Sequence, residues 1–291
     1  MSEFNYKKRW KDVAELYRQD MKTSYHINRL DMVGRLLNES DLSGIVLDYG
    51  CGDGVMSERV LSAGGRVLAI DLDPSMVEST KRRLRKLQHN NSNYDAMEGD
   101  TDALTNLAGS AYDTILAINV LAYMDDQDVH QFYIQSYRLL RPGGVLIVSH
   151  SNELFDLFTL NKYTVSFFKS HFSPFVERDE IASLLVYPNL PERRVYPTRA
   201  NPLNYRFILE SYGFNEVQQE FAIFHNVPPL LMKNFNPDDL QQRNCPDTTN
   251  WPASEKWKLM FMCSIFGSRA IRTVRSSARN TANNSIEEYA T

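Results

Sequence analysis

Apolar positions recur at three- and four-residue steps in two early stretches: Trp10, Val13, Leu16 and Tyr17, then Leu30, Val33, Leu36 and Leu37. That period predicts helix over much of residues 5–38. Beyond it the pattern changes to short unbroken apolar runs separated by amphipathic stretches. The runs at 45–48, 66–71, 114–119 and 145–149 predict strands, with a shorter one at 94–98. The stretches at 55–63, 74–87 and 126–140 predict helices, the second opening on Pro74, where a missing N–H is harmless. Strands apolar on both faces, alternating with helices, imply a parallel sheet covered on both sides.

The rhythm breaks after Ser149. Residues 152–199 hold nine aromatics, about one position in five against 11% for the whole chain. Helix 203–212, ending at Gly213, and strand 216–224 then resume the α/β pattern. Residues 226–253, rich in Pro, Asn and Asp, read as a second excursion, and Trp257–Ile271 as a return to apolar helix and strand. The expected fold is a Rossmann-like doubly wound, mostly parallel seven-stranded α/β sheet with an inserted helical, aromatic-rich cap. The expected divisions are an N-terminal helical segment 1–43, an α/β core 44–151 and a cap 152–199. A return to the core over 200–273, carrying the second insertion 226–253, precedes a mobile tail 274–291.

Composition narrows the function classes. With 291 residues, 43% hydrophobic and 23% charged, the chain is globular, and its net charge of −4 argues against a dedicated nucleic-acid binder. No apolar run approaches a membrane span, and the first residues lack the apolar core of a secretory signal. The scattered Cys51, Cys245 and Cys263 suit a reducing, cytoplasmic setting and offer no metal or disulfide framework. Glycine carries more information: six of thirteen, at 44, 50, 52, 54, 64 and 65, fall within residues 44–65. Such concentration marks a backbone built for close approach.

The core of that cluster is Val46-Leu-Asp-Tyr-Gly-Cys-Gly-Asp-Gly54, at the turn from the first strand to the first helix. A tight structural turn explains the glycines alone. Two acids add to them. Asp71 ends the second strand 17 residues after Gly54, where a carboxylate can accept ribose hydroxyls. Asp48 stands at the mouth of the turn, where it would repel a pyrophosphate and favour a positively charged nucleoside. The dinucleotide spacing G-x-G-x-x-G fails at Val55, and no Gly-Lys-Ser/Thr follows.

Together with Val67-Leu-Ala-Ile-Asp-Leu-Asp-Pro-Ser-Met76, Glu98-Gly-Asp-Thr101 and Leu140-Arg-Pro-Gly-Gly-Val-Leu-Ile147, this turn resembles the class I S-adenosylmethionine-dependent methyltransferases. The likeness covers residues 44–151 and, more loosely, 200–224 and 257–271. It is nearest the ubiquinone/menaquinone-type and sugar-modifying members. The resemblance implies S-adenosylmethionine as cofactor, with Asp48, Gly50 and Gly52 against its methionine part. Asp71 would hold the ribose, with Leu72 and Asp73 beside it near the adenine. Asp100 would accept from the adenine amino group, with Thr101 adjacent, and Asn119 would face the cofactor's amino group. Arg29 aligns loosely with an arginine near the cofactor carboxylate, or is a surface residue. Tyr17 caps the cofactor or packs in the core.

Methyl transfer needs acceptor and methyl held in line, and a base where the acceptor is a hydroxyl of high pKa. His150, directly after the fifth strand, is the candidate base, since ligands sit beyond the carboxyl ends of such strands. A structural histidine is the alternative. No histidine pair has metal-ligand spacing, so no metal is expected. The basic run Lys81–Lys86 reads as a solvated helix face. Strand four continues Asn119-Val-Leu-Ala, without the Pro-Pro-aromatic motif of DNA adenine methyltransferases. The expected reaction is therefore transfer to oxygen or nitrogen of a small molecule or glycan precursor. Carbon methylation and non-catalytic cofactor binding are the alternatives. The aromatic segment 152–199 reads as a cap lining the acceptor pocket, or as a satellite core or homodimer contact.

Overall fold

The computed structural model describes residues 24–87, 93–159, 198–225 and 251–274. Seven strands form one sheet: β1 (Ile45–Tyr49), β2 (Arg66–Asp71), β3 (Tyr94–Glu98), β4 (Tyr112–Ala117), β5 (Leu140–Ser151), β6 (Phe214–Phe224) and β7 (Cys263–Arg272). Their order is β3-β2-β1-β4-β5-β7-β6. The first five are parallel and β7 is antiparallel to both of its neighbours. The described helices are α1 (Ser24–Leu36), α2 (Glu39–Leu42), α3 (Val55–Ser62), α4 (Pro74–Arg85), α5 (Thr101–Thr105) and α6 (Asp126–Leu139). They continue with α7 (Phe155–Thr159), α8 (Tyr205–Ser211) and α9 (Ala253–Met262), and a 3₁₀ turn spans Leu121–Tyr123.

Strand alternation sorts the core onto two sides of the sheet. Leu47, Ile115, Ala117, Leu146 and Val148 pack with Phe132 and Tyr133 of α6 and Tyr205 and Leu209 of α8. Their neighbours Val46, Leu116, Val145 and Ile147 pack with Met32 and Leu36 of α1 and Met56 and Val60 of α3. Both faces are covered, as the unbroken apolar runs predict.

One boundary departs from expectation. The Arg-Pro-Gly-Gly stretch predicts a turn ahead of a short strand, but β5 begins at Leu140. Tyr112 pairs with Leu140 and Thr114 with Val145, so the extra residues are absorbed as an irregularity within the ladder. At its other end β5 runs past Ser149, held by β7 through Ser149–Gly267, His150–Phe266 and Ser151–Ile265 pairing. The expected cap and second insertion fall mainly on residues 160–197 and 226–250, and the tail on 275–291, outside the described residues. Where the chain leaves and re-enters, Asn152 bridges to Ala200 and Asp156 pairs with Arg199.

Candidate functional site

Strand order reverses between β1 and β4, because the chain runs outward to β2 and β3 before crossing back. A crevice at such a point, beyond the carboxyl ends of the strands, is the usual ligand site of an open α/β sheet. A cleft opens there, lined by Tyr49, Gly50 and Gly52 at and after the end of β1, Asp71 and Leu72 at and after the end of β2, and Gly99 and Asp100 after β3. Asn119, Val120, Tyr123 and Met124 after β4 complete its lining.

The turn after β1 is shaped by backbone that only glycine adopts freely. Gly50, Gly52 and Gly54 have φ of 69°, 56° and 84°. A Cβ at Gly50 would lie 2.6 Å from Val120 Cβ, so the turn and the β4 end meet here without room for a side chain. Gly50 and Cys51 donate their N–H groups to the Ile70 carbonyl of β2, at 2.8 and 3.0 Å. From outside, Thr80 Oγ1 donates to the Gly52 carbonyl at 2.9 Å, and Arg83 Nε to the Asp53 carbonyl at 2.8 Å. Arg83 also pairs with Asp53 and Glu58 at 2.6 and 2.7 Å. The basic run of α4 is therefore not simply a solvated face, since its central arginine braces the turn.

Asp71 joins the turn to the cleft. Its Oδ2 accepts the Gly52 N–H at 2.8 Å and its Oδ1 the Asp73 N–H at 2.9 Å. Each carboxylate oxygen has a second lone-pair direction, so the group can orient the turn and accept ligand hydroxyls together. Burial pushes its carboxyl up to about 6, against the pull of these two N–H groups. Asp48 is only 2% exposed and is absent from the cleft lining. Its Oδ2 accepts from Ser57 Oγ at 2.6 Å on the α3 side of the sheet. Burial also raises Asp48 to about 6, and the charge of Asp71 adds to the rise. Asp48 thus supplies negative charge from beneath the turn and does not line the surface a ligand touches.

The other expected residues divide. Gly50, Gly52, Leu72, Asp100 and Asn119 line the cleft with Asp71. Asp100 also caps α5, accepting the Asp102 N–H at 3.1 Å. Asp73 is turned to capping α4, where it accepts the Ser75 N–H at 2.7 Å and the Ser75 hydroxyl. Thr101 is buried and donates to Asp128 of α6, tying α5 down behind the cleft. Neither Asp73 nor Thr101 lines the cleft. Arg29, expected near the cofactor or on the surface, is 2% exposed within α1, which packs on β6 and β7. Tyr17 lies outside the described residues.

His150 requires a correction. Because β5 continues through Ser151, its imidazole belongs to a sheet face and not to the lip of the sheet. It is 4% exposed, and its Nε2 hydrogen-bonds to the Tyr205 hydroxyl and, at 3.4 Å, to that of Tyr133. Phe266 stacks on its other side. Burial lowers its pKa to about 3, so it is a neutral core group at physiological pH.

Sequence reasoning missed five lining residues. Tyr49 and Gly99 immediately precede residues it named, so the strand ends were a usable signal. Val120, Tyr123 and Met124 follow a break in β4 and enter a 3₁₀ turn, which has no apolar period to reveal it.

Residues 46–144 match the family model described as a methyltransferase domain. A ubiquinone biosynthesis O-methyltransferase of Xanthomonas oryzae pv. oryzae is 30% identical over 165 residues, covering 54% of this chain and 66% of the relative. A protein of Mycolicibacterium smegmatis named "Probable S-adenosylmethionine-dependent methyltransferase" is 28% identical over 131 residues, covering 45% and 47%. The chain thus spans about half to two thirds of the length of these curated relatives. The crystal structure of magnesium protoporphyrin IX methyltransferase from Synechocystis PCC 6803 with bound SAH superposes with a TM-score of 0.57 at 16% identity. It covers 92% of this chain and 100% of that one. That likeness bears on the fold.

Proposed function

We propose that this chain, whose residues 46–144 belong to the class I S-adenosylmethionine-dependent methyltransferases, transfers a methyl group to an oxygen or nitrogen of a small molecule or glycan precursor. The observation that carries the reading is the cleft at the β1–β4 crossover, floored by the glycine turn and flanked by Asp71.

The lining fits the cofactor. Glycines 50 and 52 admit a ligand against the backbone, and Asp71, held by two N–H groups, keeps lone pairs for the two ribose hydroxyls. Asp100 and Leu72 flank the nucleoside end, and Asn119 with Tyr123 bounds the other. Asp48 lowers the potential under the turn, which favours a ligand carrying an ammonium and a sulfonium. When bound, the cofactor supplies a methyl carbon already activated for in-line displacement. The chain's part is to hold that carbon and the acceptor in line and to keep water out. With His150 packed against Tyr205, Tyr133 and Phe266 and absent from the cleft lining, this reading leaves the proton of a hydroxyl acceptor to another group. The small-molecule acceptor rests on the relative named as a ubiquinone biosynthesis O-methyltransferase and on the absence of the DNA adenine motif after β4.

Titration calorimetry with S-adenosylmethionine and S-adenosylhomocysteine tests the reading. Binding of both is expected, weakened by ten- to a hundredfold in Asp71→Ala, on the scale of ~1.5–3 kcal/mol for hydrogen bonds to a charged group. Undetectable binding of both ligands to the unaltered protein would overturn it.

A further inference from the structure

The end of β4 holds an arrangement that the cofactor-binding residues do not explain. Among the described residues, Ser110, Asn119 and Ile223 are the non-glycines with positive φ, and Asn119, at 60°, is the one that lines the cleft. A residue in this conformation leaves the strand path. The β4–β5 ladder accordingly stops at the Ala117–Val148 pair. Two residues further on, the Asn119 N–H would face β5 with no backbone carbonyl in register. Instead, Ser149 Oγ accepts it at 2.8 Å. Ser149 is 1% exposed, on the α1–α3 side of the sheet. Its hydroxyl extends the ladder by one bond where the backbone ladder has ended.

From this geometry we infer that Ser149 is a positioning residue for the methionine end of the cofactor site. The inference rests on the proposed S-adenosylmethionine cleft and adds a direction within it. Asp71 and Asp100 close β2 and β3, on one side of the glycine turn. Asn119, Val120, Tyr123 and Met124 follow β4, on the other. A nucleoside whose ribose meets Asp71 lies over β2 and β3, so its amino-acid arm crosses β1 toward Asn119. Ser149 fixes the backbone from which Asn119 and Val120 face that arm. Asn119 Nδ2 reaches the Tyr123 hydroxyl at 3.4 Å, so the same anchor sets the wall beside the reacting carbon. Without that acceptor the part-buried Asn119 N–H loses its partner, and the turn relieves the loss by leaving the left-handed conformation.

Two ligands separate positioning from general stability. S-adenosylhomocysteine carries the amino-acid arm and 5′-methylthioadenosine lacks it. Calorimetry on Ser149→Ala should show about tenfold weaker S-adenosylhomocysteine binding, on the scale of one hydrogen bond. Its 5′-methylthioadenosine affinity should stay within about twofold of the original. Ser149→Thr, which restores a hydroxyl, should recover most of the loss. Should the alanine variant not fold, Ser149→Cys, whose sulfur is a weak acceptor, is read the same way. Unchanged S-adenosylhomocysteine affinity, an equal loss for both ligands, or failure of threonine to rescue would each overturn the inference. If the unaltered protein binds neither ligand, the cofactor reading itself fails, a distinct result.

Discussion

Replacing Gly50 with alanine tests how the cleft floor is built. Gly50 sits at φ 69°, where an L-residue with a Cβ is disfavoured by ~1–2 kcal/mol. The new Cβ would lie 2.6 Å from both Val120 Cβ and Cγ2, and 3.2 Å from Cγ1. Overpacking of this kind adds ~1–3 kcal/mol, giving ~2–5 kcal/mol in all. The displaced Val120 lines the cleft, so cofactor affinity should fall along with stability. The two contributions separate in a double-mutant cycle. Val120→Gly removes all three opposing atoms, so only the dihedral penalty should remain in the double variant, with a favourable coupling of ~1–3 kcal/mol. Urea denaturation and S-adenosylhomocysteine calorimetry on the four proteins measure both quantities. Strict additivity would refute the claim that the turn and the β4 end are closed on one another. An alanine variant as stable as the parent would refute the conformational argument as well.

Two acid–base predictions follow. Asp48 is raised to about 6 mainly by burial, so the folded state holds its proton over a window where the unfolded state has released it, and stability declines as pH rises from about 4 through about 6. Asp48→Asn should therefore stabilise the ligand-free protein at pH 7.5 by on the order of 2 kcal/mol. The gain should vanish near pH 4, while S-adenosylmethionine affinity falls; thermal melts across pH that show no gain at pH 7.5 would contradict it. His150 has the opposite sign. Lowered to about 3 by burial, it stays neutral while the unfolded chain takes up a proton, so stability is lost as pH falls below about 6.5. His150→Phe should flatten that acid limb and leave S-adenosylhomocysteine binding within about twofold; a hundredfold loss of turnover with binding intact would reinstate the catalytic base.

What was legible in the sequence follows from what each signal depends on. The strands β1, β2, β4 and β5 were readable because both of their faces are largely buried, and apolar runs record burial directly. The glycine turn and Asp71 were readable because local backbone geometry demands those residues at that spacing. Asp73 and Thr101 stand off the cleft lining because adjacency does not say which way a side chain turns; one caps a helix and the other ties two helices together. The burial of His150 was not legible for a register reason, since the antiparallel partner that prolongs β5 lies more than a hundred residues downstream. Arg83 was hidden for a similar reason, as its partners Asp53 and Glu58 come from the preceding turn and helix.

Consecutive positions of β5 carry two unlike duties. Ser149 faces the α1–α3 side and holds the β4 end, while His150 faces the opposite side and knits α6 to α8 through two tyrosines. A one-residue slip would set an imidazole beneath Asn119 and a hydroxyl among the tyrosines, failing both at once. The chain therefore divides its tolerance to length change sharply. Insertions among Arg141–Gly144 fall where the ladder already skips residues, whereas a single deletion between Val145 and Ser149 would dismantle the cleft wall and the helical layer together.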